Sequence, residues 1–320
     1  MVLDDLTIVV CCNKNDVFFA RICIASIRYY YSNIKIEIVK DLGNGKFNTN
    51  ELEFFFNVKK VVLGKEKLGW GGAKFHYLYS NPHGKKVLLL DADIVFVSQF
   101  IERLLPHFNQ NDYLISSELE NNPYAAWVKQ IYFDTKKIEN KYPNYKYPGY
   151  FFNAGQMFVT IGSINTDIIN NFFDVSTPPY WRDLDTFPLV DQSVYNYLLP
   201  TLANQNKIKL GTENFMLWSK SEIANNLSLI DIKAKILDVG LIHWAGDLRR
   251  DSLIGMSRKD ILQFFEQYYY SIIPFGKLKF IILRIPIMIN YLLKYIFKTC
   301  KRLKIGLLQI FNTPEKIEID

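Results

Sequence analysis

The sequence predicts an α/β protein: a mostly parallel central sheet with helices on both faces, followed by a basic helical tail. Three observations carry this. Strand-like and helix-like segments alternate through the first hundred residues, the pattern of parallel strands joined by crossover helices. Of the 320 residues, 49% are hydrophobic and 22% charged, which supports a sizeable core and excludes a disordered chain. The formal charge of +6 is unevenly placed. Residues 276–320 hold nine of the 38 Lys/Arg and three of the 32 Asp/Glu, leaving 29 of each sign in residues 1–275. A neutral body argues against a nucleic-acid groove across it, and no nucleic-acid partner is expected. The division expected is a body over 1–270 and a tail over 271–320.

The elements follow in order. MVLDDLTIVVCC places acids before a short apolar run and lacks a basic leader, so 6–12 reads as a first strand rather than a signal peptide. Asp16 is placed to cap the helix FFARICIASIRYYY. IKIEIVK (34–40) alternates with period two, 48–57 reads as a short helix, and VKKVVLG (58–64) as a strand. Gly71 and Gly72 precede a helix at 73–80, and KKVLLLDADIVFV (85–97) reads as one long apolar strand interrupted by two carboxylates. Residues 118–150, rich in Asn, Lys, Tyr and Pro, read as a long functional loop or small subdomain. FFNAGQMFVTI (151–161) is strand-like, 164–173 helix-like, STPPYWRDLDTFP loop, and 190–199 helical. ILDVGLIHWAG (236–246) ends a strand at His243, and 258–270 is a helix. Four cysteines without metal spacing read as thiols in a reducing, cytoplasmic compartment.

Residues 277–304 carry eight Lys/Arg and no acid among many apolar and aromatic residues. Pro286 is expected to divide any helix here into two pieces. No run of 18 apolar residues is free of charge, so the tail is expected to lie on an anionic membrane surface rather than span it. The alternative is a pair of amphipathic helices packed on the body or on a partner.

The strongest chemical signal is Asp91-Ala92-Asp93 after the apolar run Val87–Leu90. Two carboxylates one residue apart face opposite ways unless the backbone turns, as it commonly does at the carboxyl end of a parallel strand, where ligands bind. Burying both without a cation is costly. Hard oxygen ligands suit Mn²⁺ or Mg²⁺, which in turn bridge a diphosphate. The other reading is a pair of exposed or helix-capping acids.

Four segments in order carry a specific resemblance: LLLDADIVF, FFNAG (151–155), VDQSVYNYLL and HWAGDLR (243–249). Over roughly residues 6–250 the chain resembles GT-A nucleotide-sugar glycosyltransferases, most closely family 8, the retaining galactosyl- and glucosyltransferases that include bacterial lipooligosaccharide enzymes. The resemblance implies that Asp91 touches ribose and metal, that Asp93 binds the metal, and that His243 is the third ligand. Gly246 would admit backbone to the phosphates. Arg249 stands where the family usually has Lys and would contact the diphosphate, with Arg250 and Asp251 in place of the Pro-Trp that often follows. Lys74, 17 residues before Asp91, stands where the family often has an Arg that holds donor sugar and phosphate; alone it would read equally as a solvated helix lysine. Asn153 and Gly155 would line the sugar pocket, Asp191 would hydrogen-bond donor hydroxyls, and Gln192 would sit near the anomeric carbon. At the first strand, Asn13, Asn15 or Asp16 would read the nucleoside.

The implied activity is metal-dependent, retaining transfer of a hexose from a nucleotide-diphosphate sugar to a glycolipid or cell-surface polysaccharide. The expected donor is UDP-galactose or UDP-glucose, and the expected place the inner face of the cytoplasmic membrane. The Tyr-rich 124–150 segment and Pro179-Tyr180-Trp181 are candidate acceptor surfaces. A nucleotidyltransferase of related fold lacks support, because no Gly-rich loop of the G-G-x-G-T-R kind follows the first strand. A catalytically inactive, membrane-associated binding protein is the remaining alternative.

Overall fold

A computed structural model describes residues 3–63, 68, 71–119, 122–174, 180–246 and 251–311. Its strands are β1 (Thr7–Asn13), β2 (Lys35–Asp41), β3 (Val58–Val62), β4 (Lys86–Asp91), β5 (Ile94–Phe96), β6 (Tyr113–Leu119), β7 (Tyr150–Thr160), β8 (Leu210–Glu213), β9 (Met216–Trp218) and β10 (Leu241–His243). Seven form a sheet of order β3-β2-β1-β4-β7-β6-β8, and three form a small sheet of order β5-β10-β9. In the large sheet β1 to β4 run parallel, β7 is antiparallel to both its neighbours, and β6 pairs with β8 in parallel. The expected mostly parallel sheet is present.

The sheet is covered on both faces, and the alternation of β1 and β4 shows how. Ile8, Val10, Leu88 and Leu90 point into one core, beneath helices Val17–Tyr30 and Lys259–Ile272. Val9, Val87 and Leu89 point into the other, beneath helices Gly72–Tyr79 and Val190–Asn204. Strands buried on both faces read as continuous apolar runs, which is why LTIVVCC and KVLLL are legible without any period-two polarity.

Four expectations are corrected. Residues 85–97 are two strands in two sheets: β4 ends at Asp91, the chain turns at Ala92-Asp93, and β5 joins β10. A continuous strand would force one carboxylate into an apolar face; the turn avoids this. The helix expected over 164–173 shortens to Thr166–Ile169, and the chain then pairs Phe173 with Trp181. Asp16 occupies the N-cap position but makes no side-chain cap bond, because its carboxylate takes the Asn13 amide instead. The tail is one helix, Gly276–Phe311, that runs through Pro286. Proline's fixed φ is already helical, so the loss is one amide donor. The turns before it are pinned to the body. Arg284 pairs with the buried Glu266 and with the Asp251 carbonyl, Lys279 Nζ lies 2.5 Å from Glu51 Oε1, and Phe280 meets Tyr270 edge-on at 5.4 Å.

The 118–150 segment is a small helical subdomain. Two short helices, Ala126–Ile131 and Thr135–Lys141, follow β6. Tyr132, Phe133 and Tyr145 are buried, with Tyr132 stacked on Phe151 of β7 at 4.4 Å, so these aromatics extend the core on that face of the large sheet. Tyr124 and Trp127 stay exposed.

On β2, buried Glu37 accepts hydrogen bonds from Tyr77 Oη at 2.6 Å and Lys85 Nζ at 3.0 Å, with Lys59 Nζ at 3.3 Å. Burial pushes its carboxyl up, but Tyr77 and Lys85 outweigh that and hold it below the usual range. The folded state therefore takes up this proton less readily than the unfolded chain. The stabilisation is present above the ordinary carboxyl value and lost as pH falls through the lowered one. Glu37→Gln is expected to cost about 1–3 kcal/mol in urea unfolding near pH 7. The gap from wild type should close in acid.

Candidate active site

A cavity of about 230 Å³ opens at the carboxyl ends of β1, β2 and β4. Its wall includes Cys11, Asn13, Asp16, Asp41, Gly71, Lys74, Asp91, Asp93, His243 and Gly246. Strand register assembles it. Antiparallel pairing of β5 with β10 sets His243 opposite Ile94, and Trp244 N donates to the Asp93 carbonyl at 3.1 Å. The two carboxylates and the imidazole are thereby brought together, each offering one ligand atom within 4.8 Å of the others. His243 Nε2 lies 3.2 Å from Asp93 Oδ1 and 3.9 Å from Asp91 Oδ2.

Lys74 is neither solvated nor free. It is 4% exposed, and its ammonium lies 2.8 Å from Asp91 Oδ1, 2.8 Å from Asp191 Oδ2 and 3.0 Å from the Ala154 carbonyl. Three donors meet three acceptors, so a buried charge is fully satisfied. Burial works against its protonation, but Asp191 and then Asp91 override this and hold the proton more firmly than in water. Asp91 keeps a raised carboxyl: burial lifts it first and Asp93 adds repulsion, against the pull of Lys74 and His243. Two clustered acids sharing one lysine leave room, electrostatically, for a second cation.

Behind this wall stand Asn153, Gly155, Asp191 and Gln192. Gly155 is required by its neighbours: a Cβ there would lie 2.4 Å from His243 Cε1 and 2.8 Å from Asp91 Oδ2. Gly155 makes room for the ligand side chains themselves. Asn153 Oδ1 accepts from Gly155 N at 2.7 Å, turning that oxygen to its own strand. Gln192 is held at both ends by β7, accepting from Ala154 N at 2.7 Å and donating to the Phe152 carbonyl at 2.9 Å. Asp191 follows Val190, a β-branched residue at φ +43°, and lies against Gly71, where a Cβ would come within 2.3 Å of its carboxylate. At the far end of the cavity, Asn13 Nδ2 donates to Asp16, and Asn13 Oδ1 accepts from Asn15 N at 2.8 Å. Gly246 adopts φ +71° with open space where a Cβ would be. Arg249 lies outside the described residues, as does Pro179.

Gly155→Ala should therefore displace His243 or Asp91. The expected result is a loss of roughly 10-fold or more in Mn²⁺ affinity, read by the paramagnetic resonance of free Mn²⁺.

Sequence reasoning missed Asp41, whose carboxyl is raised by burial, and Gly71. Asp41 ends the strand next to β1, so the carboxyl-edge rule would have found it. It also missed Trp218, whose indole lies over the His243 ring.

No family model matches the sequence, and no curated protein matches it. Solved structures do. A galactosyltransferase, LgtC, in complex with donor and acceptor sugar analogues, superposes with a TM-score of 0.51 at 14% identity, covering 84% of this chain and 97% of its own. The fold is GT-A. Apo WbbM, a bifunctional glycosyltransferase, superposes at 0.50 with 13% identity over 87% of this chain and 51% of its own. The expected GT-A architecture is thus present at identities that speak to fold alone. The chemistry of this GT-A chain has to be argued from its own side chains.

Proposed function

We propose that the protein is a metal-dependent, retaining glycosyltransferase that moves a hexose from UDP-galactose or UDP-glucose to a glycolipid or cell-surface polysaccharide acceptor. The observation that carries this reading is the convergence of Asp91, Asp93 and His243 on a cavity at the carboxyl edge of a GT-A sheet. Two hard carboxylate oxygens and one imidazole fit Mn²⁺ or Mg²⁺, and the clustered acids favour such a cation. When bound, the ion stabilises charge on a departing nucleoside diphosphate.

The chain's own groups supply the rest. Lys74 ties Asp91 to Asp191, so the ligand strand and the helix Val190–Asn204 hold one geometry. Bare backbone at Gly246 leaves close approach open to phosphate oxygens. Asn13, Asp16 and Asp41 offer hydrogen-bonding groups at the other end of the cavity for a nucleoside. Gln192 is a weak nucleophile and its amide already serves β7. That supports same-face attack by the acceptor hydroxyl, whose proton passes to the leaving phosphate oxygen, over a covalent intermediate on Gln192. Proton NMR of the transferred sugar checks this: the donor's anomeric configuration should persist, and inversion would remove the retaining assignment.

The tail supports a place at the inner face of the cytoplasmic membrane. Beyond its docked turns it exposes Ile285, Ile289, Leu292, Leu293, Tyr295 and Ile296, in a stretch whose sequence also holds Lys294, Lys298, Lys301 and Lys304. No helix among the described residues is long and apolar enough to cross a membrane. Each basic residue near an anionic surface contributes up to about 1 kcal/mol. Full-length protein should float with phosphatidylglycerol vesicles and not with phosphatidylcholine. A truncation after residue 289 should stay with the soluble fraction. Cutting at 275 would instead strip Arg284 from buried Glu266 and unsettle the body. Full-length protein that ignores both vesicles would overturn the membrane reading.

A further inference from the structure

His243 differs from an ordinary metal-ligating histidine in how it is held. Such histidines usually donate their second ring nitrogen to a carboxylate, carbonyl or water, and that bond fixes the ring. Here Nε2 faces Asp93 and Asp91, while Nδ1 is buried and has no hydrogen-bond partner among the described residues. What fixes the ring lies on the next strand. β9 runs parallel to β10 with Trp218 in register with His243, and Ser219 N donates to the His243 carbonyl at 3.0 Å. The Trp218 indole stacks on the imidazole with ring centroids 5.8 Å apart and planes 13° off parallel, an offset-stacked arrangement. The indole is itself tethered: Nε1 donates to Glu118 Oε1 at 2.5 Å. Glu118 sits on β6 of the large sheet, opposite Phe151 of β7, so one hydrogen bond ties the small sheet to the large one beside the candidate metal site.

We propose that Trp218, anchored by Glu118, is the positioning residue for His243, so that aromatic stacking does the work a hydrogen bond to Nδ1 does elsewhere. The inference rests on the metal-site reading above. The ring's soft torsion turns it about the Cβ–Cγ bond and tilts its plane, so a parallel indole alongside opposes that motion and keeps Nε2 aimed at the two carboxylates. A flat aromatic partner should therefore keep part of the effect, and a branched aliphatic one should not.

The test is Mn²⁺ affinity of the full chain without any sugar donor, read by the paramagnetic resonance of free Mn²⁺, with melting temperatures in parallel. Trp218→Leu and Glu118→Ala should each weaken Mn²⁺ binding roughly 10-fold, the size expected for residues that orient a ligand. Trp218→Phe, which keeps a flat ring but has no N–H for Glu118, should fall between wild type and Trp218→Leu, whereas Glu118→Gln, which keeps the acceptor, should stay close to wild type. A purely structural role would lower the melting temperature of Trp218→Leu and leave its Mn²⁺ affinity alone; that result overturns the proposal. If Trp218→Leu fails to fold, Glu118→Ala with rescue by Glu118→Gln carries the same decision. Should His243→Ala bind Mn²⁺ as tightly as wild type, the metal-site reading falls, and this inference with it. Loss of binding in His243→Ala beside unchanged binding in Trp218→Leu removes this inference alone.

Discussion

Asp93→Asn is expected to reduce metal-dependent turnover of the sugar donor by roughly 10³-fold or more, because a metal's stabilisation of transition-state charge is worth several kcal/mol. The substitution keeps size and shape and removes only the anionic ligand. Asp93 is 5% exposed and lies where it raises the carboxyl of Asp91 by repulsion. Neutralising it relieves that repulsion in the metal-free protein. The variant should therefore melt at or above the wild-type temperature without metal, and gain less than wild type when Mn²⁺ is added. Loss of function with retained or raised stability separates a site residue from a structural one. Full turnover in Asp93→Asn would remove the ligand assignment.

The second large effect is expected at Lys74. Lys74→Met leaves Asp191, 5% exposed, and the half-buried Asp91 without their shared cation. Removing one partner of a buried charge pair costs about 3–5 kcal/mol, measurable by urea unfolding at neutral pH. Turnover should fall with it, since Asp91 loses the contact that sets its position. The deficit should shrink in acid, where protonation discharges the carboxylates left behind. Lys74→Arg should recover only part of the loss, because a planar fork cannot meet three acceptors arranged around a compact ammonium. A Lys74→Met variant as stable as wild type would show that the carboxylates find their counter-charge elsewhere.

What the sequence disclosed, it disclosed locally. β1 and β4 are apolar on both faces, and that composition alone marks parallel strands under helices. Asp91 and Asp93 end and follow such a run, so the carboxyl-edge rule points to them, while His243 is implied only by the four-segment resemblance. The break between β4 and β5 was not legible, since Ile94–Phe96 is as apolar as the strand before it and only pairing with β10 separates them. The Lys74–Asp191 contact joins residues 117 positions apart and leaves no local mark. Trp218 falls in the same class, because its value comes from the register of β9 on β10. The helix through Pro286 shows the opposite error: a sound local rule gave way to tertiary contacts at Lys279, Phe280 and Arg284. Gly155 lies on a strand and Gln192 on a helix, as their segments read, but the backbone bonds of Gln192 and the close neighbours of Gly155 leave no mark in the sequence.

The central claim is that Asp91, Asp93 and His243 hold a cation that activates a nucleotide-sugar donor. Release of UDP from UDP-galactose and UDP-glucose tests it most directly, measured for wild type and Asp93→Asn with Mn²⁺ and again with a chelator. Release by wild type with Mn²⁺, and none from the chelated enzyme or the variant, is the predicted result. Release that survives the chelator, or none from either sugar nucleotide at saturating Mn²⁺, would contradict it.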